Sequence, residues 1–188
     1  MELREYCPLD CPEMASLFYQ TVHTVNACDY TPQQLDAWAD GHTDLAAWNR
    51  SFLSHYTLVA QEEDQIIGFG DICRDGYLDR LYVHPDWQRQ GVATALCDRL
   101  EACCGAPRLY AHASITALPF FQGRGYRMVQ ERQVERKGVL LTNFWWKRSP
   151  QPQATVYNIK KNAGPENRSG ILFFVSTSWL PQGSCRPA

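Results

Sequence analysis

Tyr77-Leu-Asp-Arg-Leu-Tyr-Val-His-Pro-Asp-Trp-Gln-Arg-Gln-Gly-Val-Ala-Thr-Ala-Leu96 is the stretch on which the fold turns. Leu78 to Val83 is loosely alternating and rich in apolar and aromatic residues, as a half-buried strand requires. His84-Pro-Asp86 ends it, because Pro85 has no amide hydrogen and disfavours a helical conformation at His84. From Gly91 onward Val92, Leu96, Leu100 and Cys103 or Cys104 recur near helical spacing and predict a helix with a core-facing stripe.

The join between strand and helix carries the functional signal. Gln88-Arg-Gln-Gly-Val-Ala93 puts small residues where a backbone must approach something closely, and the free amides of a helix start attract anions. Gly91 allows a tight loop and Ala93 leaves room for a phosphate. The spacing matches neither G-x-x-x-x-G-K-[ST] nor G-x-G-x-x-G, so neither nucleotide motif is present. A helix start without a ligand is the plain alternative.

Leu81-Tyr-Val-His-Pro85 followed by Gln88-x-x-Gly91-x-Ala93 resembles the acyl-CoA-binding motif of the GNAT superfamily of N-acetyltransferases, [Q/R]-x-x-G-x-[G/A]. Ala111-His-Ala-Ser-Ile-Thr-Ala-Leu-Pro-Phe-Phe121, with Gly125-Tyr126, resembles the next element of that superfamily, and the two occur in the right order. Tyr30-Thr-Pro-Gln-Gln-Leu-Asp-Ala-Trp38 and Asn143-Phe-Trp-Trp146 are similar to its YafP-type subgroup. The resemblance spans residues 1–148 and implies an α/β (α+β) fold. Its sheet would be mixed and largely antiparallel, flanked by helices, with a parallel strand pair splayed at the acyl-CoA site.

It also implies acetyl transfer from acetyl-CoA, as co-substrate, to the primary amine of a small molecule or a peptide, by direct attack in a ternary complex. Backbone groups of the Leu81-Tyr82-Val83 segment would pair with the pantetheine arm. Gln88 opens the motif, and the amides of Arg89, Gln90, Gly91, Val92, Ala93 and Thr94 would hold the pyrophosphate. Ser114 stands where the family has Asn or Ser near the cofactor. Phe121 stands where many members carry a tyrosine that protonates the leaving thiolate, which phenylalanine cannot do. Tyr82, Tyr110, Tyr126 or water is left for that task, or the thiolate leaves unassisted, as its modest basicity permits.

The reaction needs a deprotonated amine, and Asp79 is the candidate base. Strand alternation would put Tyr77, Asp79, Leu81 and Val83 on one face. A salt bridge from Asp79 to Arg80 or Arg108 is the competing reading. His112 on the partner strand is the candidate assistant, since imidazole titrates near neutral pH, with a structural role as its alternative. Asn143 has two readings, one facing the site and one as an interior hydrogen-bonding residue. A non-catalytic acyl-CoA-binding or sensor protein is the rival function that Phe121 raises, and a partner-binding module acting through the tail is a third.

At 188 residues the chain suits one domain with an appendage. Hydrophobic residues make up 45%, charged ones 20%, and the net charge of -2 gives no basic footprint for nucleic acid. No run has the length of a membrane span, and Glu2, Arg4, Glu5 and Asp10 interrupt any signal-peptide core, so a cytoplasmic address is expected. The eight cysteines lack a C-x-x-C pair or zinc spacing, so reduced thiols and no metal are expected. A homodimer is a possible assembly.

Further strands are predicted at residues 3–6, 57–61, 66–72, 109–113, 126–134 and 139–146. Helices are predicted from Asp10 as a cap, from Thr31 with Gln34 as a capping box closed by Gly41, and over residues 45–53. Tyr30, Trp38 and Trp48 read either as core or as an aromatic clamp on the acceptor. Ser149-Pro-Gln-Pro-Gln153 reads as a linker, so 1–148 is expected as the transferase domain and 149–188 as an extension with strand-like runs at 155–159 and 171–176.

Overall fold

The computed structural model describes residues 1–148, so the expectations for the tail lie outside the described residues. In chain order the elements are β1 (Glu2–Glu5), α1 (Cys11–Thr24), α2 (Pro32–Trp38), α3 (Leu45–Ser54), β2 (Tyr56–Glu62), β3 (Gln65–Ile72) and β4 (Tyr77–Val83). α4 (Val92–Cys104), β5 (Leu109–Ser114), α5 (Leu118–Gly123), β6 (Arg127–Arg136) and β7 (Val139–Arg148) follow. One sheet runs β1-β2-β3-β4-β5-β7-β6, and every pairing is antiparallel except β4 with β5. This is the expected mixed α/β class.

Two cores cover the two faces. On one, α4 and α5 bury Leu78, Leu81, Val83, Ala111, Phe144 and Trp146. On the other, α1, α2 and α3 bury Val59, Phe69, Tyr82 and Leu141. α4 lies close against β3, where a Cβ on Gly68 would stand 2.9 Å from a Val92 methyl, so only glycine fits. No helix among the described residues is long and apolar enough to cross a membrane.

Several local expectations are met and others are displaced. The α2 capping box forms, with Gln34 N–H donating to Thr31 Oγ1 at 3.4 Å and Thr31 N–H to Gln34 Oε1 at 3.0 Å. That helix ends at Ala39 rather than at Gly41. Asp10 does not cap α1. Its carboxylate is taken by Arg4 (2.7 and 2.9 Å) and by Cys7 N–H (2.8 Å), a charge-assisted set that outcompetes a cap. No disulfide joins the cysteines among the described residues.

Candidate functional site

β4 and β5 pair through only two positions, Tyr77 with Tyr110 and Leu78 with Ala111, and then part. The carbonyls of Arg80 and Tyr82 face β3, against Gly70 and Gly68, so those of Leu81 and Val83 face the opening. Val83 C=O accepts from Thr21 Oγ1 at 3.1 Å and from Gln88 Nε2 at 2.5 Å. Gln88 thus ties the loop back onto the strand end. Tyr82 lies on the other side of the strand, edge-on to Phe18 in the helical core.

After one 3-10 turn at Pro85–Trp87 the loop takes two left-handed residues, Arg89 (φ 62°) and Gly91 (φ 83°), before α4 begins. Ala95 N–H to Gly91 C=O, 3.0 Å, is the first helical bond, so the amides of Val92, Ala93 and Thr94 have no helical acceptor. No side chain caps them, and a Cβ on Gly91 would meet nothing within 4 Å. Gly91 is therefore favoured for its backbone angle rather than for lack of room, and the surrounding space is open. Gln90 Nε2 donates to Asp86 C=O at 3.0 Å, which stiffens the turn. Uncapped amides with open space before them can receive an anion.

Ser114 ends β5, buried beside the opening. Phe121 and Tyr126 lie on the α4 side of the sheet. Phe121 packs edge-on against Tyr126, with centroids 5.0 Å apart, and stacks on Trp146. Tyr126 donates to Glu101 Oε1 at 2.8 Å, and Glu101 also binds Arg124 and Arg148. Burial, and then the Glu101 charge, push the Tyr126 hydroxyl well above its ordinary value. The structure does not bring Tyr126 together with Asp79 and His112. The sheet lies between them, because Tyr126 precedes β6 and packs with the α4 core.

On the opposite face, a bulge changes the expected alternation. Asp71 pairs with Arg80 but Ile72 pairs with Leu78, leaving Asp79 as the extra residue. Leu78, Leu81 and Val83 consequently share the α4 core, and Asp79 does not share a face with Leu81 and Val83. Asp79, only 1% exposed, instead joins Asp71, Arg80 and His55. Asp71 Oδ2 lies 2.5 Å from His55 Nδ1 and 3.0 Å from Arg80 NH1, while Asp79 Oδ2 lies 3.6 Å and 3.7 Å from the same two atoms. The Arg80 guanidinium is sandwiched against Phe52 (4.5 Å) and Trp48 (5.2 Å), and it donates to Ser51 Oγ at 2.9 Å.

This environment explains the proton affinities. Burial pushes Asp79 up to about 7, against the attraction of Arg80 and with the repulsion of Asp71. Burial opposes a charged His55, but its hydrogen bond and attraction to Asp71 outweigh that and raise it. Ligand atoms of His55, Asp71 and Asp79 lie within 4.8 Å of one another. Since Arg80 already sits on the same carboxylate oxygens, the cluster reads as an ion-pair network. Arg80 is therefore the ion-pair partner of Asp79, and the Arg108 alternative is not needed.

His112 stands on the same face as this cluster, with Nδ1 3.4 Å from Tyr77 Oη and Nε2 3.5 Å from Arg132 NH1. Burial, then the Arg132 charge, lower it to about 4, so it is neutral at physiological pH. Tyr30, Trp38 and Trp48 belong to or pack on the helical core, and Tyr30 Oη donates to Thr142 C=O (2.8 Å) and accepts from Ile115 N–H (2.9 Å). His55, Asp71 and Arg132 escape sequence reading, because no short-range spacing links them to Asp79 or His112.

Comparison with known proteins agrees with this fold. The family model described as "Acetyltransferase (GNAT) domain" matches residues 26–148. The Escherichia coli (strain K12) protein described as "Uncharacterized N-acetyltransferase YafP" is 35% identical over 152 residues, which is 80% of this chain and 97% of that protein. The crystal structure of a GCN5-related N-acetyltransferase from Rhodopseudomonas palustris superposes with a TM-score of 0.76 at 34% identity, covering 79% of this chain and 95% of that one. The PaiA N-acetyltransferase of Thermoplasma acidophilum in complex with coenzyme A shares the fold, with a TM-score of 0.65 at 14% identity, over 79% of this chain and 98% of that one. The splayed parallel pair, the open helix start beside it and these matches together place the chain in the GNAT acetyltransferase family, with the YafP-type proteins.

Proposed function

We propose that this chain is an acetyl-CoA-dependent N-acetyltransferase of the cytoplasm acting on the primary amine of a small molecule, with residues 1–148 as the catalytic domain. The observation that carries the reading is the parting of β4 from β5 after Leu78 and Ala111, directly beside the uncapped start of α4. Backbone groups of Leu81 and Val83 would hold the pantetheine arm as an added strand does. The amides from Arg89 to Thr94 would hold the pyrophosphate, and Gln88 would keep the loop in register. Acetyl-CoA supplies the activated acyl group.

Asp79 takes the proton from the incoming ammonium, a task for which a carboxylate poised near 7 is suited. Its charge is steadied by Arg80 and His55 on one side. His112 is neutral and hydrogen-bonded at both nitrogens, so it orients the site and Asp79 carries the proton transfer. Phe121 has no proton to give, Tyr126 is committed to Glu101 across the sheet, Tyr110 donates to Asp75, and Tyr82 is buried in the helical core. Water therefore protonates the departing thiolate, which is a good leaving group at neutral pH.

Phe121 favours one competing reading, a protein that binds acyl-CoA without turning it over. A thermal melt with and without acetyl-CoA, followed by thiol-release assays across an amine panel, decides between them. Acetyl-CoA at a hundred times its dissociation constant should add about 2.7 kcal/mol of stability, and thiol release should require amine. A raised melting temperature with no release from any amine would support the sensor. No rise at millimolar acetyl-CoA would overturn both readings.

A further inference from the structure

We infer that the acceptor carries a carboxylate as well as its amine, and that Arg132 and Asn143 form the carboxylate subsite. The inference rests on the acetyl-transfer reading above. Three observations converge on it.

The first is Asn143. It is only 1% exposed, and neither amide atom has a hydrogen-bond partner among the described residues. Buried side-chain amides are satisfied in the great majority of cases, so one left wholly unsatisfied marks a place where another molecule completes the bonding. The interior hydrogen-bonding role is therefore not realised by the described protein groups. Asn143 lies directly between Ser114 on β5 and Arg132 on β6 in the two ladders, so the three side chains stand in one row on one face.

The second is the charge pattern of β6. Arg132 and Arg136 stand opposite Asn143 and Val139, on the face that looks toward the helical core. Glu131 and Glu135 fall on the other face by strand alternation. Arg132 has no carboxylate within ion-pair distance among the described residues, and its polar contact there is with His112. Arg136 adds a second positive charge near Tyr82 and Tyr77, where burial makes that charge harder to hold.

The third is polarity across the site. Asp79 lies near Tyr77, whose hydroxyl meets His112, which in turn meets Arg132. The face thus runs from the two carboxylates of Asp71 and Asp79, balanced by Arg80 and His55, to the Arg132 guanidinium, which no carboxylate among the described residues balances. A zwitterionic acceptor matches it end to end, with its ammonium at Asp79 and its carboxylate on the Arg132 fork and the Asn143 amide. A diamine would bring its second cation against Arg132 and be repelled.

The test measures kcat and KM by thiol release at saturating acetyl-CoA, using the full chain and matched acceptors. These are an amino acid, its carboxamide, the corresponding amine without the carboxylate, and a diamine. An exposed arginine can be changed without disturbing the core, so Arg132→Gln is the first variant and Arg132→Lys the conservative one. Charge-assisted hydrogen bonds of this kind correspond to about a 10- to 100-fold effect. The wild type should prefer the amino acid over its carboxamide by that factor. Arg132→Gln should erase the preference by raising KM for the amino acid alone, Arg132→Lys should restore part of it, and the acetyl-CoA melt shift should not change. Equal use of amino acid and carboxamide by the wild type, or a preference that survives Arg132→Gln, would overturn the subsite and leave acetyl transfer standing. Binding of acetyl-CoA with no acceptor turned over would overturn both.

Discussion

The two halves of the proposed site are built from different materials. On the cofactor side the working groups are backbone: the β4 edge at Leu81 and Val83, which has no strand beside it and where Thr21 and Gln88 hold the Val83 carbonyl, and the first amides of α4. On the acceptor side they are side chains drawn from distant positions, with His55, Asp71, Asp79, His112, Arg132 and Asn143 meeting on one face of the sheet. A backbone site demands only that small residues and a left-handed turn stand at fixed spacing. A side-chain site demands a tertiary fold before any of it exists.

The largest expected effect tests the backbone half. Gly91→Glu should abolish acetyl-CoA stabilisation in a thermal melt, because it places a carboxylate in front of the α4 amides. The room around Gly91 means that Gly91→Ala should meet no steric clash. It should cost about 1 kcal/mol of fold stability through the positive φ and still bind acetyl-CoA. If the glutamate variant binds as well as the parent, the pyrophosphate does not lie at this helix start and the comparison between the halves collapses.

That asymmetry also governs what could be read in advance. The Gln88-Arg-Gln-Gly-Val-Ala93 turn, the helix behind it and the Thr31/Gln34 capping box are set by residues a few positions apart, and all three form as read. The setting of Asp79 could not be read, because the bulge beside it is a property of how β3 pairs with β4. Alternation alone would have sent Asp79 and Arg80 to opposite faces; the bulge puts both on one face, where Asp79 meets His55 and Arg80 meets Asp71. Asp10 failed as a cap for a related reason, since Arg4 reaches it across a chain turn that propensity does not anticipate.

The next effect sharpens the acceptor half. Asp79→Asn should lower kcat by about 10²- to 10⁴-fold, the range of general-base catalysis, and leave acetyl-CoA affinity within about twofold. Turnover by the wild type should climb with pH through about 7 as the carboxylate forms, and the variant should lose that step. Undiminished turnover at neutral pH in Asp79→Asn would remove Asp79 as the base. A parallel loss of acetyl-CoA affinity would mean that the two halves are not separable.

The smallest effects concern stability, where Asp79 and His112 act in opposite directions. The folded-state affinity of Asp79 is raised from an ordinary 3.8 to about 7, so its contribution is fully present below about 3.8 and is lost as pH rises through about 7. For His112 the folded value falls from 6.5 to about 4, because burial and Arg132 favour the neutral ring. Its contribution is full above about 6.5 and is lost as pH falls through about 4. Between about 4 and 6.5 the two slopes oppose each other and the parent should look nearly flat in chemical denaturation. Asp79→Asn should expose the His112 slope, with stability rising as pH increases through that window, and His112→Gln should expose the reverse. Two variants with the same slope as the parent would show that neither group changes its proton affinity on folding. The acceptor face would then be far more hydrated than the packing of Arg80 between Phe52 and Trp48 implies.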